Sequence, residues 1–121
     1  MAGDYFPVNP MMEIQVSLNQ MDYEGQDVVV GDTLAFNVTL YAEYGVNYYL
    51  VDLKIGDGEY TSLQHNTPEI LGIRNGAYSA SDGWDIVIDE SMRGKSIAFY
   101  FELGDLYGQV ANETLVFSVG S

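Results

Sequence analysis

The stretch from Gly94 to Val119 leaves this chain few ways to fold. Ile97, Phe99, Phe101 and Leu103 alternate with Ala98, Tyr100, Glu102 and Gly104. After a Gly-Asp-Leu-Tyr-Gly break the alternation resumes, with Leu115, Phe117 and Val119 on one side and Thr114, Val116 and Ser118 on the other. A period of two sends successive side chains to opposite faces of an extended strand. Two such runs around a glycine-rich break predict an antiparallel hairpin with one strongly apolar face. Burying each large apolar side chain is worth about 1.5–3 kcal/mol, so that face requires a second sheet over it.

Further strands follow from the same pattern. Ile14, Val16 and Leu18 form a first row. Asn19 to Gln26 is turn-like, and Val28-Val29-Val30 is a short apolar piece that continues the first strand or switches sheets. Leu34, Phe36, Val38, Leu40 and Ala42 alternate with polar or small residues. Tyr49, Val51, Leu53 and Ile55 form the next inward row, with Tyr48, Asp52 and Lys54 outward. Gly56-Asp57-Gly58 signals a turn into a short strand, Glu59–Leu63. Residues 64–82 read as a long irregular connection, with Glu69–Ile73 a brief strand or turn. Trp84, Ile86 and Ile88 make another strand, and Asp89–Arg93 one helical turn of the kind that bridges two sheets.

Seven or eight short strands, turn residues every eight to twelve positions and no long helix predict an all-β, immunoglobulin-like antiparallel β-sandwich. An up-and-down barrel or a jelly roll is the rival. Residues 1–11, with Pro7 and Pro10, read as an extended arm, and 12–121 as the single sandwich domain. A chain of 121 residues buries enough surface to hold a core without staples.

Composition removes whole classes of function. The net charge is −14, from 18 acidic residues against Lys54, Arg74, Arg93 and Lys95. Such a surface repels nucleic-acid phosphates and anionic membranes alike. It suits solubility, cation binding or a basic partner. No apolar run approaches the length of a spanning helix, so membrane insertion by this segment is not expected. Without cysteine there is no disulfide, thiolate metal site or thiol nucleophile. The N-terminal residues lack the pattern of an intact signal peptide. That fits either a chain made without export or a mature segment with its leader replaced.

Val30-Gly31-Asp32-Thr33-Leu34-Ala35-Phe36-Asn37-Val38-Thr39 is similar to the opening of many bacterial immunoglobulin-like and fibronectin-III-like domains, and Phe99–Val119 to their closing hairpin. Among these, modules on surface lipoproteins of Bacteroidetes resemble the chain most. The resemblance implies an extracellular or cell-surface location, and adhesion, spacing or ligand binding without shared catalytic residues.

Candidate chemistry is sparse. His65, the single histidine, lies in a Gln-His-Asn loop with no nucleophile elbow nearby and reads as a surface residue. The carboxylate pairs Asp82/Asp85, Asp89/Glu90, Asp57/Glu59 and Glu102/Asp105 fall on expected turns and outer faces, so no enzyme is expected. Asp82-Gly83-Trp84-Asp85 and Asp57-Gly58-Glu59 are the best calcium loops, though neither has the helix-loop-helix spacing. Otherwise no cofactor is implied. Asn37-Val38-Thr39 and Asn112-Glu113-Thr114 fit the glycosylation sequon but sit in or beside expected strands.

The ten tyrosines carry the main functional expectation. In a fibronectin-like topology, the loops holding Tyr44, Tyr48 and Tyr107 meet at one end, joined by Tyr78. Tyrosine offers a large amphipathic contact surface at low entropic cost. The cluster therefore predicts a module that binds a protein or glycan, or spaces domains. A structural subunit, as in a virion or pilus, is the alternative and would show an exposed, unpaired edge strand. A calcium-dependent carbohydrate-binding module is the third reading.

Overall fold

The computed structural model describes residues 8–67 and 77–121. In chain order the strands are β1 (Met11–Leu18), β2 (Met21–Asp22), β3 (Thr33–Tyr41), β4 (Val46–Ile55), β5 (Thr61–Asn66), β6 (Ser79–Val87), β7 (Ser96–Asp105) and β8 (Val110–Ser118). They form two antiparallel four-stranded sheets, ordered β2-β1-β3-β6 and β5-β4-β7-β8. The fold is an eight-stranded β-sandwich. Strands β1, β3 and β6 on one side and β4, β7 and β8 on the other divide as in an immunoglobulin-like sandwich, with β5 joined to β4 and not to β6.

The alternating rows face each other across the interior. Ile97, Phe99, Phe101 and Leu103 of β7 are fully buried, as are Leu34, Phe36, Val38 and Leu40 of β3. The closing hairpin has the expected pairing, with Ile97 opposite Phe117 and Phe99 opposite Leu115. Phe36 is the hub. Its ring stacks on Trp84 of the same sheet at 4.5 Å and reaches Phe99, Phe101 and Phe117 of the other at 4.9, 5.9 and 6.1 Å.

The expected single helical turn is a 3₁₀ turn over Glu90–Met92, where the Asp89 carboxylate accepts from the Ser91 N–H. The Gly31-Asp32 pair is a turn for a clear reason. Gly31 has φ +98°, and the Asp32 carboxylate accepts from the Val29 N–H and Asn19 Nδ2, each at 2.9 Å. These bonds, Asn19's first, hold the Asp32 carboxyl below its ordinary range.

Several boundaries differ from the sequence reading. The turn-like Asn19–Gln26 contains a hairpin, β1–β2, whose two central residues, Asn19 and Gln20, both have positive φ (51° and 70°). Such a turn usually announces itself with Asn-Gly, and Gln20 hides it. Val28 does not extend β1. It crosses to the second sheet, bridging Val119 in parallel. The short strand expected at Glu59–Leu63 runs instead over Thr61–Asn66, with a bulge opposite Val51 and Asp52. That places His65 in a strand, not a loop. Likewise β6 begins at Ser79, so residues 64–66 and 79–82 of the supposed irregular connection belong to strands. The expected element at Glu69–Ile73 and the first seven residues of the arm lie outside the described residues. The arm's described end is short, since Pro10 is buried and β1 starts at Met11.

Candidate functional site

Three segments close one end of the sandwich. The Leu106 N–H donates to the Gly45 carbonyl (3.0 Å), the Val46 N–H to Ala77 (2.8 Å) and the Ala42 N–H to Tyr78 (2.7 Å). Asp105 is almost fully buried beneath them. Its carboxylate accepts from the backbone N–H of Tyr107 (2.9 Å) and of Gln109 (2.7 Å), and from Gln109 Nε2 (2.9 Å). A buried carboxylate with three donors fixes the β7–β8 turn, so Asp105 is a turn clamp and not the solvated outer-face residue its pairing with Glu102 suggested. Gly108, at φ +87°, completes that turn.

On this base the Tyr44 and Tyr107 rings meet at 5.2 Å, inclined by 33°. Tyr44 is half-buried, whereas Tyr107 is 61% and Tyr78 65% exposed. Leu106, adjacent in the same turn, is also exposed. Backbone bonding brings Tyr44, Tyr107 and Tyr78 to one end.

Tyr48 points elsewhere. Its position in β4 turns it onto the outer face of the second sheet, opposite Gly104, whose missing side chain leaves room for the ring. There the Tyr48 and Tyr100 hydroxyls donate to separate oxygens of one carboxylate, Glu102, the latter bond measuring 2.5 Å. Accepting both protons' bonds, Glu102 pushes each phenol up to about 12. The His65 ring stands 6.5 Å from Tyr48, and Tyr60 lies 6.2 Å from Tyr100, with Lys54 Nζ over the Tyr60 ring at 5.7 Å from its centroid. Sequence reasoning missed this trio, although Tyr100 and Glu102 share the outward parity of β7.

The remaining carboxylates have structural surroundings. Glu90 pairs with Arg93 through two bonds of 2.6 and 2.9 Å. Asp82 and Asp85, offered as a calcium loop, lie within β6 on opposite faces. Asp82 shares the inward face with Trp84, and desolvation raises its carboxyl pKa. Among the described residues, one Asp82 oxygen, Trp84 Nε1 and the Tyr49 hydroxyl are buried without a hydrogen bond of ordinary geometry, although the indole N–H and the phenol lie near enough to interact. Burial likewise drives the Tyr49 phenol up, the Trp84 indole N–H working against it and the Asp82 charge with it. Among the described residues no three His, Asp or Glu side chains gather as for a metal ion. Both sequons fall inside strands, Asn37 in β3 and Asn112 in β8, each exposed.

A scan against protein-family models finds no match for this chain, and no curated protein matches it. No helix among the described residues is long and apolar enough to cross a membrane.

Proposed function

We propose that the chain is a non-enzymatic binding module of immunoglobulin-like or fibronectin-III-like type, displayed at a cell surface or secreted, that takes a protein ligand at the end bearing Tyr44, Tyr78 and Tyr107. The observation that carries the reading is the Tyr44–Tyr107 ring contact at a loop end held by backbone bonds, with Tyr107 and Tyr78 largely exposed. Rigid aromatic groups on short, clamped turns lose little entropy on binding. The net charge of −14 favours a basic partner, through steering rather than contact energy. Tyr48, bonded to Glu102 on the outer face, is left out of this contact.

The test starts from peptides selected on the immobilised protein from a displayed library. Affinity is then compared between the wild type and a Tyr44→Ser, Tyr107→Ser double variant. The reading expects a loss of at least about tenfold, near 1.4 kcal/mol, with the thermal midpoint almost unmoved. Undiminished affinity refutes it, and capture on a glycan array alone replaces the protein ligand with a carbohydrate.

A further inference from the structure

The strands that end the two sheets are not equally protected. β2 is two residues long, β5 is bulged against β4, and β6 carries Gly83 and two aspartates. By contrast β8 runs nine residues in unbroken register with β7, without proline or lysine. Short strands, bulges, prolines, lysines and inward-pointing charges are the usual means of blunting an edge, and β8 has only the last, at Glu113.

Backbone direction along β8 can be read from its end. The Val119 N–H donates to the Lys95 carbonyl, so odd-numbered residues face β7. On the other side the Ser118 carbonyl accepts from Val28 and the Gly120 N–H donates to Val28. Even-numbered residues therefore direct their N–H and C=O away from the sheet. Val28 occupies that lane only at its end. At Asn112, Thr114 and Val116 the lane has no backbone partner among the described residues, and all three are exposed.

The charge along the lane is of one sign. Glu113 has the inward parity of Leu115 and Phe117 yet is exposed at the edge. Tyr23 packs on Phe117 at 5.1 Å, so the segment after β2 passes beside the Phe117 end of the strand. We propose that β8 accepts an extended, basic segment of another protein as an added strand, its backbone bonding to Asn112, Thr114 and Val116 and its cationic side chains facing Glu113 on a protein of net charge −14. A second copy of this chain is the wrong occupant. It brings another −14, and antiparallel pairing centred on Thr114 sets the two Glu113 carboxylates on one face as diagonal neighbours. Main-chain bonds supply the affinity in this mode and alternate side chains the selectivity.

The probe is a synthetic peptide of alternating valine and lysine, with a glycine-serine-lysine peptide of equal charge as control. Amide exchange is followed residue by residue. The expected result is slowed exchange at Asn112, Thr114 and Val116 with the first peptide only. Thr114→Pro removes one outward N–H without touching the bonds to β7, and is expected to weaken binding at least about tenfold. Glu113→Lys is expected to weaken it comparably, and remains informative if the proline variant does not fold. Equal binding of both peptides, unchanged exchange at the three amides, or full affinity in the folded variants overturns the proposal. So does self-association through β8. Tyr44→Ser, Tyr107→Ser serves as the separate control: it is expected to leave this binding intact, so the two surfaces fail or stand independently.

Discussion

Phe36→Ala tests the architecture at its hub. The side chain is 1% exposed, and it touches aromatic rings from β6, β7 and β8. Truncating a buried phenylalanine costs about 3–5 kcal/mol, from lost transfer energy plus the cavity left behind. The four ring neighbours, anchored on both sheets, cannot all collapse into the gap, which places the cost toward the upper end. At about 0.05–0.15 kcal/mol per residue, a chain of this length has roughly 6–18 kcal/mol to lose. An unfolding entropy of about 2.1 cal/mol/K per residue is about 0.25 kcal/mol/K for the whole chain, so the midpoint falls by about 12–20 °C. Calorimetry measures that shift directly. Urea unfolding followed by Trp84 fluorescence gives the free energy independently. Val116→Ala, at a position 61% exposed on the outer face, is the matched control and is expected to change stability by no more than about 0.5 kcal/mol. A Phe36→Ala loss under about 1 kcal/mol would falsify the assignment of Phe36 to the contact between the sheets.

Two further predictions concern ionisation. Glu102→Gln replaces the carboxylate whose hydrogen bonds, and then its charge, raise Tyr48 and Tyr100 to about 12, so both phenols are expected to fall toward 10.0 in an ultraviolet titration; an unchanged titration curve means the carboxylate does not accept from them. Their raised values make these contacts fully stabilising below the unfolded phenol pKa and lost as pH climbs through about 12. Asp82 has a folded pKa raised above 3.8 by desolvation, so stability from this group is complete below that value and lost as pH rises through the folded one. Asp82→Asn abolishes that loss, and its urea midpoint is expected to gain on the wild type between about pH 3 and about pH 7. An equal difference at both ends shows that burial does not act on this carboxyl.

The strands with strict alternation were legible because side-chain direction is a local property of extended backbone. Leu34 to Leu40 and Ile97 to Leu103 face inward as their parity demands. Ser79 to Asp82 were not legible, being polar and small, with no apolar row to mark them. They are strand because β3 pairs with them, Thr39 with Ser81 and Val38 with Asp82. Once Asp82 is in the strand, its parity with Trp84 and Ile86 turns it inward, which a loop assignment conceals.

The tyrosine end divides the same way. That Tyr44 and Tyr107 lie in turns follows from Gly45 and Gly108, each at positive φ. Their ring contact depends on two loops 61 residues apart (Gly45 to Leu106) being tied by the Leu106–Gly45 bond, whereas Tyr48 is kept from them by its register in β4, opposite Gly104 on the outer face. By itself, then, the sequence determined which segments extend and which side of each is oily, since both depend on neighbours along the chain. Partnership, the bulge in β5, the buried clamp at Asp105 and the β8 edge left unpaired among the described residues were decided only in the tertiary structure, because each depends on groups distant in sequence.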